Sequence, residues 1–140
     1  MFGLTEKPIE VIRLIQEVSS EECGAIAIFL GTVRNENDGK PVKGIVYEAY
    51  PSMAERRLKE LGEEMRKRWG IQRAAIVHRI GRLNVGEVSV AIAVASPHRE
   101  SAFSACRFAI EEIKNAVPIW KKEIYADETE EWLRGKKMRG

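Results

Sequence analysis

An α+β fold with a largely antiparallel sheet and three main helices is what this sequence predicts. Three observations carry that reading. Hydrophobic periodicity runs in the order helix, two strands, helix, two strands, helix, short strand. Strands that arrive in adjacent pairs, with helices between the pairs, favour antiparallel pairing over the strand–helix alternation of a parallel sheet. At 140 residues, with no internal repeat, low-complexity tract or linker, the chain fits one domain over 1–140 that can bury a real core.

Residues 1–23 form an N-terminal helix region. Its helix is predicted over Pro8 to Ser19, with Val11, Leu14, Ile15 and Val18 on one face. Gly24 to Val33 is apolar on both alternating faces, which predicts a strand covered on both sides. Gly31 near its end suggests a bulge or a close backbone approach. A polar loop with Asp38-Gly39 turn chemistry follows Arg34, and Val42 to Tyr50 reads as the return strand of a long hairpin. Pro51 closes that strand, and Ser52 with Glu55 predicts a capping box opening the second helix. Ala54, Leu58, Leu61 and Met65 are its buried stripe, with a charged, solvated face opposite.

Ile71 to Ile80 is a third strand, in which His78 shares parity with Ile76 and Ile80 and reads as a packed histidine. Asn84 to Glu87 is a turn. Val88 to Ala95 alternates cleanly between Val88, Val90, Ile92, Val94 and Ser89, Ala91, Ala93, Ala95. The small face admits a close helix or a second subunit. Ser96 as N-cap and Pro97 at the first turn open the third helix, whose stripe is Ala102, Cys106, Ala109, Ile113 and Val117. Pro118 ends it, Ile119 to Tyr125 is a short final strand, and 127–140 reads as a loosely held tail.

Composition excludes several function classes. The hydrophobic fraction of 44% and charged fraction of 31% are those of a soluble globular protein. Lys+Arg 23 against Asp+Glu 21 leaves a formal charge of +2, little for a general nucleic-acid binder. No apolar run approaches the roughly 20 residues of a membrane span, and the N-terminus lacks a signal-peptide core, so a cytoplasmic protein is expected. Cys23 and Cys106 are too far apart for a paired motif, and with only His78 and His98 besides, no metal site and no cofactor are expected.

The chemistry concentrates in Ile113 to Glu123, where Lys114, Lys121 and Lys122 flank Pro118. Two readings stand for Lys114. At the margin of the buried stripe it can snorkel to water and favour the helix C-terminus. Alternatively Pro118 bends the chain and brings a second lysine back, and clustered, half-buried amines lose pKa and become nucleophiles or bases. His98 and Arg99 sit at a strand-to-helix junction suited to anions, though His98 can also merely cap the helix. Arg34 either pairs with Glu36 or Asp38 or joins the same pocket. Together these residues suggest a cationic site for an anionic small molecule.

Five segments add a family resemblance. FLGTVRN (29–35), YEAYPSMAE (47–55), VHRIGRLNVGE (77–87), SPHRESAF (96–103) and KNAVPIWKKE (114–123) stand in the order and spacing of the large, catalytic subunit of molybdopterin synthase, the MoaE family, which the chain resembles from about Gly24 to Trp132. The resemblance implies an α/β hammerhead-type fold. It implies a homodimer at the centre of a heterotetramer, with a small ubiquitin-like sulfur-carrier subunit at each end. It further implies a sulfurtransferase: the carrier's C-terminal Gly-Gly thiocarboxylate donates sulfur to cyclic pyranopterin monophosphate, forming the dithiolene of molybdopterin in molybdenum cofactor biosynthesis.

On the same basis the family's catalytic lysines fall on Lys114 and Lys121, with Lys114 the essential acid/base or covalent participant and Lys121 orienting substrate. Substrate binding falls on Thr32, Val33, Arg34, His98, Arg99, Lys122 and Glu123 besides these lysines, with His98 and Arg99 acting in cis or supplied across the dimer. Phe29 lines the channel for the carrier tail. Two other readings remain. One is a non-catalytic regulatory module that binds an anionic small molecule in the same pocket. The other is an RNA-binding domain using Lys114, Lys121, Lys122 and Lys136-Lys137, opposed by the low net charge and the lack of an aromatic platform.

Overall fold

A computed structural model describes residues 1–127 and 129–133. The chain runs β1 (Phe2–Thr5), α1 (Val11–Val18), β2 (Ala25–Thr32), β3 (Glu36–Asn37), β4 (Lys40–Ala49), α2 (Pro51–Trp69), β5 (Arg73–Arg79), β6 (Gly81–Asn84), β7 (Val88–Ser96), α3 (Arg99–Ala116), β8 (Ile119–Tyr125) and β9 (Glu130–Leu133). The strands form two sheets. One has the order β1-β5-β7-β2; the other has β3-β4-β8-β9, with β6 on β4. Among the described residues only β1 with β5 is parallel, so the largely antiparallel α+β expectation holds.

The helical stripes are those the periodicity predicts. Ala54, Leu58, Leu61 and Met65 of α2 are fully buried, as are or nearly are Ala102, Cys106, Ala109 and Ile113 of α3. They meet Ile76, Val90, Ile92 and Val94 on one face of the first sheet, which makes the main core. On the other face Leu14 and Val18 of α1 lie against Ala75, Ala91, Ala93 and Ala95. The alanine face of β7 therefore receives a helix of its own chain: small side chains let α1 sit close to the sheet. Cys106 is a core residue whose thiol burial pushes up to about 11, which keeps it inert.

Several local expectations are corrected. β2 and β4 do not form a hairpin: β2 pairs β7, whereas β4 pairs β8 on one edge and β6 on the other. Alternation reveals a strand's faces but not its neighbour. The Asp38-Gly39 turn instead closes the short β3–β4 ribbon, with both residues at positive φ as a tight two-residue hairpin loop requires. Nor is β2 covered on both sides, because Ile26, Ile28 and Leu30 are about two-fifths exposed. It is an edge strand, and eight-residue α1 covers β5 and β7 without reaching it.

Neither predicted cap forms. The N-cap of α2 is Tyr50, with Pro51 in the first turn, and Glu55 instead accepts from the Leu4 N–H, tying α2 to β1. Ser96 is spent on β7, so α3 starts at Arg99 with His98 in the cap position and no side-chain cap bond. The first helix is shorter than Pro8 to Ser19, opening only after Glu10. The four-residue strands β1 and β6 are additions. In the tail, β9 pairs β8, while residue 128 and residues 134–140, including Lys136 and Lys137, lie outside the described residues.

Candidate active site

The two sheets and the C-terminal half of α3 enclose a cavity of about 510 Å³. Its apolar wall comes from Phe29 of β2, Val90 of β7, Ile110 and Ile113 of α3, and Ile119 of β8. Its polar groups are Thr32, Arg34, Tyr47, His78, Ser89, Lys114 and Lys121, drawn from six segments of chain.

Local structure explains how these groups arrive there. A β-bulge breaks the β2 register between Gly31 and Thr32. Only glycine fits at 31, since a Cβ there would lie 2.8 Å from Val90 Cγ1. Beyond the bulge Val33 turns inward against Ile45 and Leu83, while Thr32 and Arg34 remain open to the cavity. The Val33 backbone is bonded in both directions to the turn after β6: its N–H donates to Glu87 O (3.1 Å) and its carbonyl accepts from Gly86 N–H (2.8 Å). Arg34 thus follows an anchored residue.

The lysines come from the corner at Pro118. Val117 leaves α3 in an extended conformation, and the Pro118 carbonyl accepts from Tyr50 N–H at 3.2 Å. Along β8 side chains alternate, which puts Lys121 on the buried face with Ile119 and Glu123. Lys121 is 3% exposed. Burial first, then the charges of Lys114 and Arg34, push its pKa down to about 8 against an opposing pull from Glu123. Lys114 is more open, and partial burial followed by Arg34's charge lowers its pKa too, under more solvent screening. Lys121 senses the charge of Lys114 across the corner, as the bend at Pro118 predicts.

The other sequence-predicted residues divide clearly. Thr32, Arg34, Lys114, Lys121 and Phe29 line the one cavity. Val33 is 3% exposed in a core cluster and supports the site through its backbone. Glu123 does not line the cavity; it is buried on the Lys121 face and accepts hydrogen bonds from Asn37 Nδ2 and from Tyr125 Oη (3.3 Å). Lys122 points to the opposite face, 3.1 Å from Glu130 and over the Trp132 ring. His98 and Arg99 are exposed at the other end of α3, about 22 Å of helical rise from Lys114. Within one chain they do not meet the lysines.

Tyr47, His78 and Ser89 are polar cavity residues that sequence reasoning passed over as site residues. His78 was legible as buried through its parity with Ile76, and it is 5% exposed. Its Nδ1 lies 2.8 Å from the Arg79 carbonyl and its ring stacks edge-on against Tyr47. Desolvation, reinforced by Lys114 and Lys121 against the pull of that carbonyl, holds its pKa down to about 4. The position of Tyr47 and His78 inside two of the five quoted segments was the available signal.

Three cations around a half-apolar cavity, one of them an amine that titrates near neutrality, define an enzyme pocket for an anionic small molecule. The comparisons with known proteins agree with that class. The family model described as MoaE protein matches residues 4–116. Curated relatives named molybdopterin synthase catalytic subunit include those of Halalkalibacterium halodurans, 49% identical over 90% of this chain and 81% of the relative, and of Bacillus subtilis, 48% identical over 94% and 83%. A crystal structure of molybdopterin synthase from Staphylococcus aureus superposes with a TM-score of 0.91 at 41% identity, covering 95% of this chain and 96% of that one. The chain belongs to the MoaE family.

No helix among the described residues is long and apolar enough to cross a membrane.

Proposed function

We propose that this chain is the catalytic subunit of a molybdopterin synthase. It transfers sulfur from the C-terminal thiocarboxylate of a small carrier subunit to cyclic pyranopterin monophosphate, and it works in the cytoplasm. The observation that carries the reading is the pairing of Lys114 and Lys121 across the Pro118 corner, beside Arg34, on one cavity. Arg34 supplies a forked donor for the substrate's phosphate. Phe29 lines the entry for the carrier's extended tail, where the absence of side chains on Gly-Gly suits a narrow passage.

Sulfur transfer needs a proton acceptor and a cation near the oxyanion that develops at the carrier's carbonyl. Lys121, with a pKa of about 8, is neutral in roughly one molecule in ten at pH 7 and serves as the acceptor. Lys114 is the essential participant at the reacting groups, stabilising charge or forming a transient covalent bond. Thr32 adds a hydroxyl, and Glu123 balances charge beneath Lys121.

The site is completed in a homodimer within a heterotetramer. Ile26, Ile28 and Leu30 on the edge strand β2 form an exposed apolar row that a second copy covers, and His98 with Arg99 reach a site across that dimer. Mixing the chain anaerobically with thiocarboxylated carrier and cyclic pyranopterin monophosphate tests the reading; dithiolene product is expected. Binding of the pterin with no sulfur transfer would instead make the protein a regulatory module.

A further inference from the structure

Glu123 is buried on the Lys121 face of β8, and its surroundings press on its charge. Its cross-strand partner on β9 is another carboxylate, Glu131. Between them stands the Tyr125 hydroxyl, 3.0 Å from Glu131 Oε2 and 3.3 Å from Glu123 Oε1. Burial, then the two carboxylates, push its pKa up to about 12, so it keeps its one proton. That proton is divided between two acceptors, and the shorter contact goes to Glu131. A second donor to Glu123 comes from outside β8 and β9: the Asn37 side-chain amide, whose Nδ2 donates to the same Oε1. Asn37 reaches it from a well-tied support. It lies on β3, three residues after Arg34, on a ribbon closed by Asp38 and Gly39 at positive φ. At the base of that ribbon the Val42 N–H donates to the Asn35 carbonyl at 2.9 Å.

We propose that Asn37 is a positioning residue for sulfur transfer: its amide holds the Glu123 carboxylate toward Tyr125 and keeps it from closing on the Lys121 ammonium. The inference rests on the sulfur-transfer reading, in which Lys121 accepts a proton. Lys121 stands two residues before Glu123 on the same face of β8, and Tyr125 two residues after it. Asn37 and Tyr125 converge on one oxygen, which ties the carboxylate to the Tyr125 side. Without the amide, a buried carboxylate opposite Glu131 has to recruit another donor, and the cation on its own face is Lys121. A closer carboxylate favours the ammonium form and removes the proton acceptor.

The field at Lys121 comes from several elements. Lys114 at the end of α3 and Arg34 after β2 lower its pKa, and Glu123 raises it. His78 on β5, its pKa held down to about 4, is uncharged at neutral pH. So is Tyr47 on β4, the cross-strand partner of Lys121, whose pKa burial raises. Among these groups Glu123 supplies the negative charge, so a change in its position is read as a change in the titration of Lys121.

The test follows that amine directly, by NMR of its ε-carbon across a pH titration, with Lys121→Arg assigning the signal. Asn37→Ala is expected to raise the inflection from about pH 8 to roughly pH 9. Turnover at pH 7 then falls about tenfold and is regained above the new inflection, whereas a general loosening of the site would lower it at every pH. Glu123→Gln keeps the shape and removes the charge. Its inflection should lie below that of the unaltered chain, and adding Asn37→Ala should then move it by less than about 0.3 of a pH unit. An inflection that stays or falls in Asn37→Ala, or an equal shift in the Glu123→Gln background, would overturn the proposal. Thermal melting checks the fold, and Asn37→Leu, with the same branched shape and no donor, decides the matter if Asn37→Ala melts early. If the unaltered chain yields no dithiolene, the sulfur-transfer reading fails, while the resonance still decides whether Asn37 governs Lys121.

Discussion

The two ends of α3 carry similar residues and lead to different chemistry. At the N-terminal end His98 and Arg99 stand exposed, with backbone N–H groups beside them and no wall around them. At the C-terminal end the chain turns back through Pro118, and Lys114 and Lys121 share a cavity with apolar walls. Proximity to a helix terminus is therefore the weaker determinant. What changes an amine's chemistry is a second element folded over it, which removes solvent and adds a like charge. By itself, the exposed pair can bind; at the other end Lys121, with a pKa of about 8, can also exchange protons near neutral pH.

That contrast can be broken most severely at Lys114. Lys114→Ala is expected to lower the rate of sulfur transfer roughly 100-fold or more, with an unchanged melting curve. Near-normal turnover with carrier thiocarboxylate would remove Lys114 from its essential role. The next largest effect comes from mixing. If the exposed end completes a partner's enclosed end, Lys114→Ala and Arg99→Ala chains are each impaired alone, and their mixture regains activity in heterodimers with one intact site. No recovery, with mixed dimers verified by mass, would confine Arg99 to its own chain.

A pH profile probes the enclosed end further. Turnover is expected to rise through an inflection near pH 8 as Lys121 loses its proton, and Lys121→Arg should abolish the inflection. Stability follows with a definite sign. The folded pKa lies below the ordinary 10.5, so the burial penalty is present in full below about pH 8 and relieved as pH rises toward 10.5. Lys121→Met should therefore raise the melting temperature at pH 7 and lose that advantage at high pH. The smallest effect belongs to Lys122→Ala. It removes an ion pair with half-exposed Glu130, with an expected stability loss of about 0.5 kcal/mol and turnover within about twofold.

Much of this was legible in the sequence, because helical stripes and strand parity are local. Leu58, Leu61 and Met65, or Ala102, Cys106 and Ile113, follow from spacing alone and are buried as spaced. Strand pairing is not local, and so β2 and β4, separated only by the short β3 ribbon strand, part into separate sheets. Phe2 to Thr5 and Gly81 to Asn84 are too short to show a period, and they gain their structure from β5 and β4. Within the site, parity along β8 would have separated Lys121 from Lys122. The inward turn of Val33 depends on the bulge at Gly31, whose effect on phase no pattern reveals. His98 and Arg99 were grouped with the lysines by chemistry, and one chain keeps them a helix length apart.

The corner at Val117–Pro118 has a consequence for how the chain can vary. β8 begins immediately after it, and its faces alternate with every residue. Inserting or deleting one residue there would rotate the strand's whole phase, sending Lys122 inward and Lys121 out toward Glu130. Nearly the same composition would then present a lysine with no Glu123 on its face. The length of the connection is thus as much a part of the proton chemistry as the amines are: at this corner, counting residues is a form of catalysis control.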